Sequence, residues 1–95
     1  MATIGVITIE MRVDDSRSLK DKRHFVRSLK DRLRKRHNVA VAEIDYQDQW
    51  QRALLAAVTV SSSRGVAERT LELVEKDASL LLGRYLTEVS VEWLE

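Results

Sequence analysis

Between Val13 and Ser18 the apolar pattern of this chain changes its period. Before that point Ile7, Ile9, Met11 and Val13 alternate with Thr8, Glu10 and Arg12, the period of two of a half-buried strand. After it Leu19, Phe25, Val26, Leu29 and Leu33 fall in one arc at 100° per residue, the signature of an amphipathic helix. Asp14, Asp15 and Ser16 break the strand, and Ser18 is a good N-cap, with Asp21 three residues on as a short capping-box partner. The spacing predicts a strand over Thr3–Val13 and a helix over Ser18–His37, stopped at His37-Asn38.

The alternation of periods continues to the end. Val39–Tyr46 reads as a second strand and Ala53–Val60 as a third, nearly continuous in apolar residues as a central strand is. The second has ambiguous parity, since Val39 and Val41 contradict the alternate set. Glu43 and Asp45 point to Ala40, Ala42, Ile44 and Tyr46 as the inward set of the second strand. Leu54, Ala56, Val58 and Val60 are the inward choice on the third. The serines at 61–63 cap a second helix over Arg64–Leu82, Gly83 is a natural residue to follow it, and Thr87–Leu94 closes as a strand with Val89, Val91 and Trp93 on one face.

The order βαββαβ contains two right-handed crossover units. Together they specify an α+β, ferredoxin-like fold: a four-stranded antiparallel sheet with both helices on one face, built as one domain over residues 1–95. On the parities above, the open face of this sheet carries Thr8, Glu10, Arg12, Leu55, Ala57 and Thr59, with Glu43, Asp45, Glu88 and Glu92 at the edges. Such a face is acidic, offers no aromatic for base stacking and repels phosphate.

Charge is distributed unevenly. Residues 17–36 hold ten cations against Asp21 and Asp31, a local net charge of +8 that leaves −7 on the rest of a chain of net charge +1. Within this segment Lys20, Arg23, Arg27, Lys30 and Arg34 recur at spacings of 3, 4, 3 and 4, one stripe along the helix. Long cations on a rigid helix suit a phosphate backbone, which they hold without reading sequence. The bland account is a solvated face balanced by Glu68, Glu72 and Glu75 of the second helix. Exposed pairs of that kind contribute about 0–1 kcal/mol each, too little to explain such a density of cations. Tyr46 and Trp50 flank the polar hairpin segment YQDQWQR and offer a stacking or interface platform, or else cover the end of the core. Lys22 lies inside the apolar arc and is expected to snorkel, with its stem packed and its amine in water.

Other chemistries find little support. The chain has no cysteine, which removes disulfides, thiol catalysis and zinc–thiolate sites. His24 and His37 have no carboxylate at ligand spacing, so no metal is expected. The three glycines are isolated and form no phosphate loop, and no cofactor is implied. The N-terminal MATIGVITIE lacks a basic leader and no stretch is apolar for about 20 residues, so neither export nor a membrane is expected and the cytoplasm is the default.

The segments SLKDKR (Ser18–Arg23) and AEIDYQDQWQRA (Ala42–Ala53) together resemble the YlxP-like family of small bacterial proteins, and the resemblance extends over essentially the whole chain. It implies a ferredoxin-like fold and a bacterial cytoplasmic protein. Genes of that family often neighbour those of transcription and translation factors, which implies a role around RNA or ribosomes. It supplies no catalytic residues. The expectation is therefore a non-enzymatic, RNA- or ribosome-associated module that docks through the basic helix. The alternative is a protein-interaction or homo-oligomerisation module using the acidic sheet face or an edge strand. A small-molecule regulatory domain and an enzyme fit less well.

Overall fold

The computed structural model describes residues 1–94. Strand β1 (Thr3–Arg12) leads into helix α1 (Leu19–Arg36), then β2 (Ala40–Asp45), β3 (Arg52–Ser61), helix α2 (Arg64–Leu82) and β4 (Leu86–Leu94), with a single 3₁₀ turn over Gly83–Tyr85. The sheet order is β2-β3-β1-β4 and every neighbouring pair is antiparallel. This is the ferredoxin-like βαββαβ arrangement the periodicity predicts, with the two ten-residue strands β1 and β3 at the centre.

The core lies between the sheet and the helices. Ile7, Ile9, Met11 and Val13 are fully buried, as expected from their alternation. They meet Val26, Leu29 and Leu33 of α1 and Leu71, Val74, Ala78 and Leu82 of α2. Gly83 ends α2 at φ 54°, a conformation that side chains with a Cβ rarely adopt. On β4, Trp93 pairs with Gly5 across the β1–β4 ladder. A Cβ at Gly5 would stand 2.5 Å from the indole, so the glycine makes room for Trp93 to cover that end of the core. The Arg64 guanidinium lies over the indole at 3.9 Å from its centroid.

The parities of β2 and β3 are the reverse of the sequence expectation. On β3 the inward residues are Ala53, Leu55, Ala57 and Thr59, all buried, while Val58 and Val60 face out. Both faces of this strand are apolar, so apolar content could not choose between them. The ladder with β1 does: buried Ile9, Ile7 and Met11 stand opposite Leu55, Ala57 and Ala53. Small alanines face the helices, and the one polar inward group, the Thr59 hydroxyl, donates to the Asn38 carbonyl at 2.7 Å. On β2, Val41 is buried while Ala40, Ala42 and Ile44 are exposed. The carboxylate that suggested the opposite choice, Glu43, turns towards α1 to meet Lys22.

Candidate nucleic-acid interface

Helix α1 is held rigid at both ends. The Ser18 hydroxyl accepts from the Asp21 amide at 3.1 Å, and the Asp21 carboxylate accepts from the Arg17 amide at 3.0 Å. At the other end the His37 amide donates to the Leu33 carbonyl, and Arg34, Lys35 and Arg36 oppose the negative end of the helix dipole.

Lys22 is what joins this helix to the β2–β3 hairpin. It does not snorkel; it is fully buried. Its Nζ is 3.0 Å from a Glu43 carboxylate oxygen and donates to the carbonyls of Tyr46, Gln47 and Arg52 at 2.8, 3.2 and 3.3 Å. One ammonium thus gathers the end of β2, the turn and the start of β3. Two sequence signals pointed here, a lysine within an apolar arc and a glutamate within a strand. Each on its own reads as a solvent-facing group, and only as a pair do they mark a buried bridge.

Outside this bridge runs a shallow open groove of about 350 Å³ lined by Arg23, Val26, Arg27, Lys30, Asp31, Arg34 and Glu43. Four of the five residues of the predicted stripe come together in it. Lys20 stands apart, in a separate depression with Asp15, Ser16, Asp21, His24 and Phe25. Arg34 also donates to the Val41 carbonyl at 3.1 Å, which ties it to β2. Of the two carboxylates in the groove, Glu43 is already met by Lys22.

The second helix does not neutralise the stripe. Glu68 pairs with Arg64 and Glu72 with Arg69 along α2 itself. The link between the helices is Asp77, which accepts from His37 at 2.6 Å and lies 3.2 Å from Arg36 and 3.9 Å from Arg32. Burial pushes the Asp77 carboxyl up, but the hydrogen bond from His37 and the charges of Arg36, His37 and Arg32 outweigh it and hold the group below its ordinary value. The cations that Asp77 collects sit at the end of α1, off the stripe. Among the described residues Lys20, Arg23, Arg27 and Lys30 have no carboxylate within ion-pair distance.

Tyr46 and Trp50 occupy the turn between β2 and β3. Tyr46 has φ 65°, its amide bonded to the Asp45 carboxylate at 2.8 Å. Its ring carries the Arg52 guanidinium at 3.8 Å, so one face is already covered. Trp50 is 54% exposed.

The family model described as "Protein of unknown function (DUF503)" matches residues 4–82. The chain is 39% identical over 71 residues to the uncharacterized protein YlxP of Bacillus subtilis (strain 168), covering 75% of this chain and 77% of that one. Among solved structures, a de novo designed protein with ferredoxin fold superposes at a TM-score of 0.50 and 14% identity, over 99% of this chain and 84% of the design. Rv0793 from Mycobacterium tuberculosis does so at 0.54 and 18%, over 98% and 93%. These likenesses concern the fold alone. Both sequence comparisons agree with the resemblance to the YlxP-like family, and the chain belongs to the DUF503 family of proteins of unknown function.

Proposed function

We propose that this protein is a non-enzymatic binding module of the bacterial cytoplasm that docks on RNA, ribosomal RNA included, through the groove along α1. The observation that carries the reading is the set of cations Arg23, Arg27 and Lys30, gathered in one groove on a rigid helix with no ion-pair partner among the described residues. Arg34 extends the row towards β2. Cations that no carboxylate holds are free to displace the counterions of a phosphate backbone, which is where affinity of this kind originates. The depressed Asp77 carboxyl is occupied in joining two helices, and the groove is shallow, so neither suggests a reaction centre. Trp50 stands exposed on the hairpin that Lys22 anchors, and a stacking contact from it would add to the phosphate contacts of the row.

The test is titration of a fluorescent RNA at several salt concentrations, comparing wild type with Arg23→Gln/Arg27→Gln/Lys30→Gln. Arg34 is left intact because its bond to Val41 also supports the fold. The wild type should bind with a steep salt dependence. The variant should lose affinity, and its log–log slope should be shallower by about 2, from about 0.7 per phosphate contact on single-stranded RNA. Equal affinity and equal slope in the two proteins would overturn the proposal.

A further inference from the structure

The corrected parity of β3 changes the open face of the sheet. Glu10, Glu88 and Glu92 stay on it, but at one end β1 and β3 present Ile4, Val6, Ala56, Val58 and Val60, and Leu94 of β4 continues the row beside Ile4. Val58, Val60 and Leu94 are 37%, 52% and 52% exposed. Valines and leucine clustered at one end of an open sheet face, with nothing among the described residues covering them, are unusual for a surface that remains in water.

We propose that this face is the interface of a homodimer, formed by two copies of the chain packed sheet on sheet. Three features favour a second copy over another partner. The first is area. Four strands about 4.8 Å apart and up to ten residues long, at about 3.3 Å per residue, give a footprint of about 600 Å². That approaches the roughly 800 Å² each partner contributes to a standard stable interface. The second is self-complementarity. A two-fold axis parallel to the strands and midway between β1 and β3 places β1 of one copy over β3 of the other at the same height. Ile4 then meets Val60 of the second copy and Val6 meets Val58, because these residues are already cross-strand partners within one chain. The apolar end lies on the apolar end twice over, as an isologous contact requires. The third is charge. At the opposite end Glu10 and Glu88 are balanced by Arg12 and Arg52, with Arg52 3.2 Å from Glu10. Glu92, beside Val6 on the edge strand β4, comes over the second copy's edge strand β2, at the water-facing rim and opposite no carboxylate of the other chain. The depression of about 190 Å³ on this face, lined by Thr8, Glu10, Leu54, Glu88 and Ser90, lies at the polar end, away from the valines. In this dimer the helices lie outermost, and the α1 groove of each copy stays open. The proposal therefore stands whether or not RNA binds there.

Sedimentation analysis of the full chain across a concentration series tests this, with Val58→Glu as the main variant. Wild type should sediment at twice the 10.9 kDa chain mass. Val58→Glu should weaken association by about 100-fold or more, because two unpaired carboxylates would be buried at the axis, while retaining its far-UV circular dichroism. A second measurement does not depend on that variant folding. The chain has no cysteine, so an equimolar mixture of Ile4→Cys and Val60→Cys chains treated with a short bis-maleimide reports the contact directly. Rapid linking of the mixture, against slow linking of a Leu80→Cys control on α2, is the expected result. A monomeric wild type at 100 times the concentration used for RNA binding, or linking no faster than the control, would overturn the proposal.

Discussion

Replacing Lys22 by methionine removes one positive charge from a strongly basic helix, yet it should be among the most destabilising single changes in the chain. Methionine fills nearly the same volume within the apolar arc, so packing changes little. What is lost is four polar contacts at 2.8 to 3.3 Å: one to the Glu43 carboxylate and three to the carbonyls of Tyr46, Gln47 and Arg52. Breaking a buried pair by deleting one partner typically costs about 3–5 kcal/mol, since the remaining charge is left stranded. Glu43 retains 16% side-chain exposure, and the two turn carbonyls can rotate towards solvent. Both discounts favour the lower end, about 3 kcal/mol. A single domain of this size holds about 5–15 kcal/mol in total and loses about 4–8 °C of Tm per kcal/mol. Lys22→Met is thus expected to lower Tm by about 12–24 °C. Urea unfolding measures the free energy, and amide hydrogen exchange locates the damage, which should concentrate over residues 46–52. A loss below about 1 kcal/mol with unchanged hairpin protection would refute the assignment of Lys22 as the anchor of the hairpin.

Two further outcomes follow from the fold. Gly5→Ala places a methyl group 2.5 Å from the Trp93 ring and 2.9 Å from Leu71 Cδ1. Overpacking of this kind costs about 1–3 kcal/mol. Read in a Trp50→Phe background, Trp93 emission should shift to the red as the ring is displaced from beneath Arg64, and an unchanged spectrum at unchanged stability would contradict the packing. Asp77 gives a pH dependence. Its folded carboxyl is held below the ordinary value of 3.8, so its contribution is fully present above that value and is lost as pH falls through the folded one. The stability gap between wild type and Asp77→Asn should therefore be wide at pH 5–6 and shrink below about pH 4, as urea unfolding at each pH would show; a gap as wide at pH 3 as at pH 6 would count against the pairing with His37, Arg36 and Arg32.

The elements and their order were readable because each rests on local periodicity. Ile7 to Val13 alternate cleanly, Val26, Leu29 and Leu33 recur at helical spacing, and Ser18 caps as its residue type predicts. Strand parity was not readable, for two different physical reasons. On β3 both alternating sets are apolar, so the choice is made by pairing with a strand more than forty residues away in sequence, information no local window contains. On β2 the misleading signal was chemical: Glu43 reads as outward because an isolated carboxylate cannot be buried, and it turns inward only because Lys22 lies opposite it. The basic stripe was half readable. Helical spacing aligned Arg23, Arg27, Lys30 and Arg34, but the separation of Lys20 and the substitution of Asp77 for the expected glutamates depend on how the two helices meet.

These errors matter for function because a strand has a period of two. A shift of one residue exchanges its faces completely, so the valines assigned to the core of β3 become the surface, and the surface assigned to that strand becomes core. The exchange on β3 puts Val58 and Val60 on the open face beside Ile4 and Val6, and the reversed parity of β2 takes Glu43 off it. The surface charges of β1 and β4 remain where they were read, at Glu10, Glu88 and Glu92, yet they now border an apolar patch instead of dominating the face. The two layers of the fold consequently carry separable chemistry: unneutralised cations on the helix side and exposed valines on the sheet side. Charge substitutions at Arg23, Arg27 and Lys30 should leave association of the chains intact, and Val58→Glu should leave the charge of the groove intact. If either set alters both properties in parallel, the two surfaces are not independent and the layer assignment itself is wrong.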